Sequence, residues 1–164
     1  MTNKEFFIET IDREAPIFKK VLQALPATKL DFKPGEKART AGRIAFQLAS
    51  QAFFIAAIAA EGKPDWGTYR EPENPNLPDM LALMEKNFAN LKIKLAGVSD
   101  YAWENETAVL EFPGGKWETK KYDMAWGFLF DAIHHRGQLT SYLRAMGAKV
   151  PSVYGGSADE RPQA

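Results

Sequence analysis

Four runs of helical periodicity, each bracketed by a capping residue and a Pro or Gly stop, constrain this chain more than any other feature. The third run is the cleanest. Leu77, Leu81, Met84, Phe88, Leu91 and Leu95 recur at the roughly 3.5-residue spacing of a helix in a bundle. Asn76 is placed as its N-cap, Pro78 falls in its first turn, Asp79 favours its dipole, and it ends at Gly97. The first run opens with a capping-box pattern, Thr2 and Glu5, and reaches about Leu25 before Pro26, with Pro16 predicted to kink or split it. The second starts at Thr40 as N-cap and continues to Glu61, with Gly62 and Pro64 as the stop.

The fourth run begins at Thr119 or Asp123 and ends at Met146, with Gly147 as C′ and Arg144 in the last turn. Before it, "AVLEFPGGKWETK" reads as two short strands around Pro113-Gly114-Gly115. The segments "PATKLDFKPGEKAR" and "GKPDWGTYREPENPNLP" read as loops. The predicted fold is all-α: a four-helix bundle with a short β-hairpin before the last helix, forming a single domain over residues 1–164.

Composition narrows the function. Twenty-one basic and twenty-one acidic side chains cancel, and no basic stripe interleaves with aromatics, so nucleic acid is not an expected partner. With no cysteine, disulfides, thiolate metal sites and a cysteine nucleophile all drop out. The N-terminal "MTNKEFFIETIDRE" lacks an apolar signal core, and the apolar run "AFFIAAIAA" is too short to span a membrane. A cytoplasmic protein without membrane contact is expected.

The last helix carries the chemistry. At about 100° per residue, Met124, Phe128, Leu139, Tyr142 and Met146 share one stripe facing the bundle centre, and Asp131, His135 and Gln138 share it too. The chain has two histidines, adjacent in "DAIHHRGQL"; His134 projects about 100° away from His135 and is read as hydrogen-bonded or at an interface. The pair with geometric meaning is Asp131 with His135, at i and i+4. Helix two matches it: Gln47 and Gln51 sit within the stripe of Ile44, Phe54 and Ile58, where an amide must be satisfied. Among the remaining candidates, Arg136 and Arg144 are placed on the far side as salt-bridge or capping groups. Gly137 is read as a site of close helix approach, Tyr142 as core with its hydroxyl satisfied, and Tyr154 as packing over the bundle end.

The segment "HHRGQLTSYLRAMGAKVPSVYGGSADE" resembles the C-terminal signature of the DinB-like (DinB/YfiT) four-helix-bundle superfamily, and "LPATKLDFKPGEKARTAGRIAFQLA" is similar to its segment joining helices one and two. The resemblance implies a four-helix bundle, frequent homodimers and, in many members, a divalent metal held by three histidines. It also implies thiol-dependent transferase or isomerase activity, or hydrolase activity, in some relatives. Carried over position by position, those ligands fall on Gln47, Asp131 and His135, so only one imidazole remains. Such a set holds zinc, nickel or copper less well than three imidazoles and leans towards Mn²⁺ or Mg²⁺.

Two readings stay open. In one, Gln47, Asp131 and His135 hold a divalent ion (Zn, Ni, Mn or Mg) in an enzyme of thiol-dependent transferase or hydrolase type. In the other, Asp131 pairs with His135 and Gln47 closes a metal-free polar network, in a small-molecule-binding or stress-associated bundle that has lost catalysis. The opposite side of helix four, with Trp126, Leu129 and Ile133, is apolar as well. It must be covered either by helix one and the hairpin or by a second copy in a homodimer.

Overall fold

A computed structural model describes residues 1–161. In chain order it contains α1 (Asn3–Gln23), a 3-10 turn (Ala27–Lys29), α2 (Ala41–Glu61), α3 (Leu77–Gly97), α4 (Asp100–Asn105), β1 (Thr107–Phe112), β2 (Gly115–Lys120) and α5 (Lys121–Ala145). The four long helices and the hairpin stand where their punctuation put them. The Thr2–Glu5 capping box forms in both directions, Thr40 and Asn76 cap α2 and α3 through their side chains, and Gly62 closes α2. Gly62 suits that place twice over: its φ is +72°, and a Cβ there would meet Thr107 O at 2.9 Å.

Three local details differ from or add to the expectations. Pro16 neither splits nor ends α1, which is one helix through it; Pro16 sits on an exposed position, where the missing N–H removes one bond without burying an orphan carbonyl. The α4 turn was not anticipated, although Ser99 caps it through its side chain and its Trp103 is completely buried. The last helix starts at Lys121 on a cap with no side-chain bond; Thr119 and Asp123 bond each other instead, at 2.6 Å.

Helix order follows from the contacts. α2 packs chiefly on α3 and α5, and α1 on α3 and α5. Directions follow from which residues meet. Arg39 reaches Tyr142 at one end of the α2–α5 seam and Ala60 reaches Lys121 at the other, so these helices are antiparallel. Asn87 donates to Ala49 O across α2–α3, where Phe46 faces Met80 and Phe53 faces Asn90, so that pair is parallel. Glu14 meets Arg136 and Phe7 meets Trp126, so α1 and α5 are parallel as well. The topology is up-down-down-up. It needs a long return between α2 and α3, and residues 62–76 supply it: a 21-residue helix is about 31 Å long, within reach of that segment when extended.

The core is one cluster drawing on every helix and on Ala108 of the hairpin. The hairpin is anchored by Val109 N–H donating to Gly62 O at 2.7 Å and by the Lys121 ammonium on Glu106 at 2.7 Å. Among the described residues only α2 is long and apolar enough to cross a membrane, and 72% of that window is buried inside the protein.

Candidate active site at the α2–α5 seam

Antiparallel packing of α2 on α5 brings Gln47 and Gln51 opposite Asp131, and the i, i+4 spacing stacks His135 one turn beyond it. All three predicted site residues therefore meet. Asp131 Oδ2 is the hub. It accepts from Gln47 Nε2 at 3.1 Å, from Gln51 Nε2, and from His135 Nε2 at 3.3 Å. His135 Nδ1 lies 2.7 Å from Gln138 Oε1. An acceptor therefore stands on each ring nitrogen, and only the imidazolium satisfies both.

The electrostatics agree. The hydrogen bond to Asp131 lifts the His135 imidazole above its ordinary value; burial opposes this, and the Gln138 carbonyl and the Asp131 charge add to it. For Asp131, half-burial alone would push the carboxyl up. The His135 hydrogen bond and charge, followed by the two glutamine amides, outweigh burial and hold it below the usual carboxylate range. Both shifts favour the ion pair, whose histidine is buried and whose carboxylate is 45% exposed to solvent.

Two further groups complete the site, and one of them escaped the helical pattern. Arg39, from the loop before α2, donates through its guanidinium to Gln47 Oε1. Its backbone carbonyl in turn accepts from the Tyr142 hydroxyl at 3.0 Å, so Tyr142 is core with a satisfied hydroxyl as expected. No periodicity marks a loop arginine; only the tertiary fold brings it here. Gln51 Oε1 is fully buried and has no partner among the described residues. Its orientation is set by Asp131, which takes the N–H and leaves the carbonyl facing inward.

Other candidates sort by environment. His134 is exposed and stacks edge-on against His135. Arg144 forms the expected surface ion pair, with Asp159 at 2.7 Å. Arg136 is corrected: it is 3% exposed, not on an outer face, and pairs with the equally buried Glu14 of α1. Tyr154 closes over that pair, its ring 4.6 Å from the guanidinium and its hydroxyl donating to Glu14 at 2.7 Å. Gly137 is corrected as well, since a Cβ there would meet nothing within 4 Å. The close approach on α5 is at Gly127, where a Cβ would stand 2.7 Å from the Trp117 ring.

The donor set can be tested against a divalent ion, which needs lone pairs. Here Gln47 presents its N–H to Asp131 while its oxygen is taken by a guanidinium, and His135 Nε2 faces the Asp131 carboxylate, which favours the protonated nitrogen over a free lone pair. The Arg39 guanidinium, beside an imidazole whose charged form Asp131 favours, stands where an ion would bring two more positive charges. Among the described residues no group of three His, Cys, Asp or Glu side chains could hold a metal. In this arrangement the residues do not fit an ion.

The comparisons place the chain. The DinB family model matches residues 1–163, and the chain belongs to that family. Among solved structures it is similar to a DinB-like protein from Bacillus cereus, at 22% identity and a TM-score of 0.72 over 92% of this chain and 97% of that one. It is also similar to the DinB-like protein YjoA from Bacillus subtilis, at 14% identity and a TM-score of 0.70 over 94% and 98%. A more distant likeness, at 15% identity and a TM-score of 0.56, is to a mycothiol-dependent maleylpyruvate isomerase, covering 93% of this chain and 68% of that one. A comparison with curated proteins finds no sequence match.

Proposed function

We propose that this DinB-family protein takes a small anionic molecule, a thiolate or carboxylate, at the α2–α5 seam, and handles it without a metal ion through the charged His135–Asp131 pair. The observation that carries this reading is the direction of the hydrogen bonds: three N–H donors converge on Asp131 Oδ2 while Arg39 holds the Gln47 oxygen. With Arg39 and His135 positive and Asp131 negative, the seam carries one net positive charge at a half-exposed carboxylate. Arg39 is the anchor for the anion, exchanging Gln47 for the ligand. His135 is the proton donor, its imidazolium maintained by Asp131 until a proton passes from Nε2 to the bound molecule. The likeness to a thiol-dependent isomerase supports thiol chemistry as the reaction class to try first.

The other reading keeps Gln47, Asp131 and His135 as ligands of a divalent ion; in its favour, the Gln47 amide group and the His135 ring both stand against one Asp131 oxygen, the nitrogens at 3.1 and 3.3 Å. The two readings predict opposite results. Metal-free protein is titrated with Mn²⁺, Mg²⁺, Zn²⁺ and Ni²⁺ while thermal stability and the His135 ring nitrogens are followed by nitrogen-15 NMR. Expected are no rise in Tm with any ion and a doubly protonated ring at neutral pH. A stoichiometric rise in Tm that Asp131→Ala and His135→Ala abolish would establish the metal reading instead.

A homodimer is also proposed. Trp126 packs on Phe6 and Phe7 of α1 and Leu129 is fully buried, so that side of α5 is partly accounted for within one chain. Phe6 and Phe130, which flank Trp126, remain 43% and 60% exposed. Sedimentation should give a dimer at micromolar concentration and a monomer for Phe130→Glu; a monomeric wild type rules the dimer out.

A further inference from the structure

The up-down-down-up topology leaves a second feature that the Asp131 cluster does not use. Because α2 and α3 run parallel, the 62–76 return must recross their whole length, and it does so with Tyr69 laid on Phe46 and Phe54 at ring-centroid distances of 5.6 and 4.9 Å. Beneath this crossing lies a cleft of about 450 Å³, within the usual range of small-molecule sites. Phe46, Ser50 and Phe53 of α2 and Leu83, Lys86, Asn87 and Asn90 of α3 line it at helical spacing, with Thr68, Tyr69 and Arg70 of the crossing as a lid. Gln47, Asp131 and His135 are not among its walls. The polar chemistry and this ligand-sized space thus lie on different faces of α2.

Its parts are graded by depth. The floor is Phe46, 5% exposed, with the buried Ser50 and Asn87. Asn87 spends its N–H on Ala49 O at 2.9 Å, and Ser50 spends its proton on Phe46 O at 2.8 Å. The rim carries Arg70 and Lys86. Neither has a carboxylate partner among the described residues: Arg70 bonds only the carbonyl of its neighbour Tyr69, at 2.7 Å. Among the described residues no acid lines the cleft. A second hollow of about 280 Å³ shares Phe46, Arg70 and Leu83 and leads towards the start of α3, where Asp79 stands. An anion is therefore drawn to the basic rim that Arg70 and Lys86 supply, and an apolar body lies against Phe46 and Tyr69.

We propose that this cleft is a binding site for a small aromatic carboxylate, its ring against Phe46 and Tyr69 and its carboxylate between Arg70 and Lys86. A planar ring matches aromatic walls through offset or edge contacts, and the guanidinium offers the forked geometry a carboxylate accepts. The site stands independently of the α2–α5 seam, and its test keeps the two apart.

The probe is 2-naphthoate, followed by isothermal titration on the full chain, with the neutral 2-naphthamide and ring-free acetate as comparisons. Naphthoate should bind wild type at least about tenfold more tightly than the amide, with acetate weaker still, since each tenfold step reflects one lost favourable contact set. Arg70→Glu/Lys86→Glu, both exposed and so without effect on folding by circular dichroism, should weaken naphthoate at least about tenfold and leave the amide unchanged. Arg39→Gln, which removes the anion anchor of the seam, should leave naphthoate binding as it is. Absence of naphthoate binding, equal affinity for acid and amide, or indifference to the charge reversal would each overturn the proposal. So would loss of binding in Arg39→Gln alone, which would place the anion at the seam.

Discussion

His135 and Arg136 are neighbours on α5, each a cation facing a carboxylate, and their surroundings are opposite. Arg136 meets Glu14 with both side chains at least nine-tenths buried, under Phe18 and Tyr154. His135 meets Asp131 across a seam whose carboxylate is nearly half in solvent. Sealing a charge pair makes each partner indispensable to the other, because losing one strands an unpaired charge in the interior. Leaving the seam open keeps the pair exchangeable: a ligand can replace a partner without unfolding anything. The sealed pair belongs to the fold; the open one is where the proposed ligand would act.

The largest expected effect breaks the sealed pair. Arg136→Met should lower stability by about 3–5 kcal/mol, leaving Glu14 buried and unpaired, while Glu14→Leu together with Arg136→Met should recover most of it. Denaturant unfolding of the two variants measures both numbers. A loss for Arg136→Met of under about 1 kcal/mol would mean that the pair is as exchangeable as the seam, and the contrast would collapse.

That contrast was only half legible in the chain. Caps and stops act within a few residues, so Thr2, Thr40, Gly62 and Asn76 announced their helices correctly. The i, i+4 stacking of Asp131 and His135 is equally local, and Gln47 followed from the stripe of α2. Arg136 was legible as a salt-bridge group on the far side, but its burial was not, because it depends on Glu14 of α1 and on Tyr154 of the segment that follows α5. Arg39 left no signal, being a loop residue whose role depends on two helices meeting above it. The parallel pairing of α2 with α3, and with it the cleft, depends on the path of a loop whose Pro, Gly and Asn residues say only that it is a loop.

A smaller effect belongs to the seam and is read by pH. His135 has a folded-state pKa raised above its ordinary 6.5, so its contribution is fully present below that value and is lost as pH rises through the raised one. Asp131 is depressed below its ordinary 3.8, so its contribution is present above that value and is lost as pH falls through the lowered one. Between those limits the pair's contribution should be flat. Half-exposed and screened, it should amount to no more than about 1 kcal/mol. Asp131→Asn should bring the His135 titration down towards 6.5 by NMR while changing stability little. A loss comparable to that of Arg136→Met would make the seam structural.

The smallest effect tests the third side of α5. Gly137 follows Arg136 directly, so three consecutive residues face the seam, the sealed pair and solvent in turn. Its carbonyl accepts from Thr140 at 2.7 Å, and the space a Cβ would occupy is empty. A glycine in mid-helix with nothing against it costs about 0.5–1 kcal/mol relative to alanine, through the freedom it keeps in the unfolded chain. Gly137→Ala should therefore stabilise by about that amount and leave the His135 titration unchanged, because the new methyl touches neither carboxylate. If Gly137→Ala destabilises instead, a second copy packs on this face and needs the missing side chain; sedimentation of the variant would then show a weakened dimer. The sign of this small change thus separates a helix side that is simply exposed from one reserved for contact.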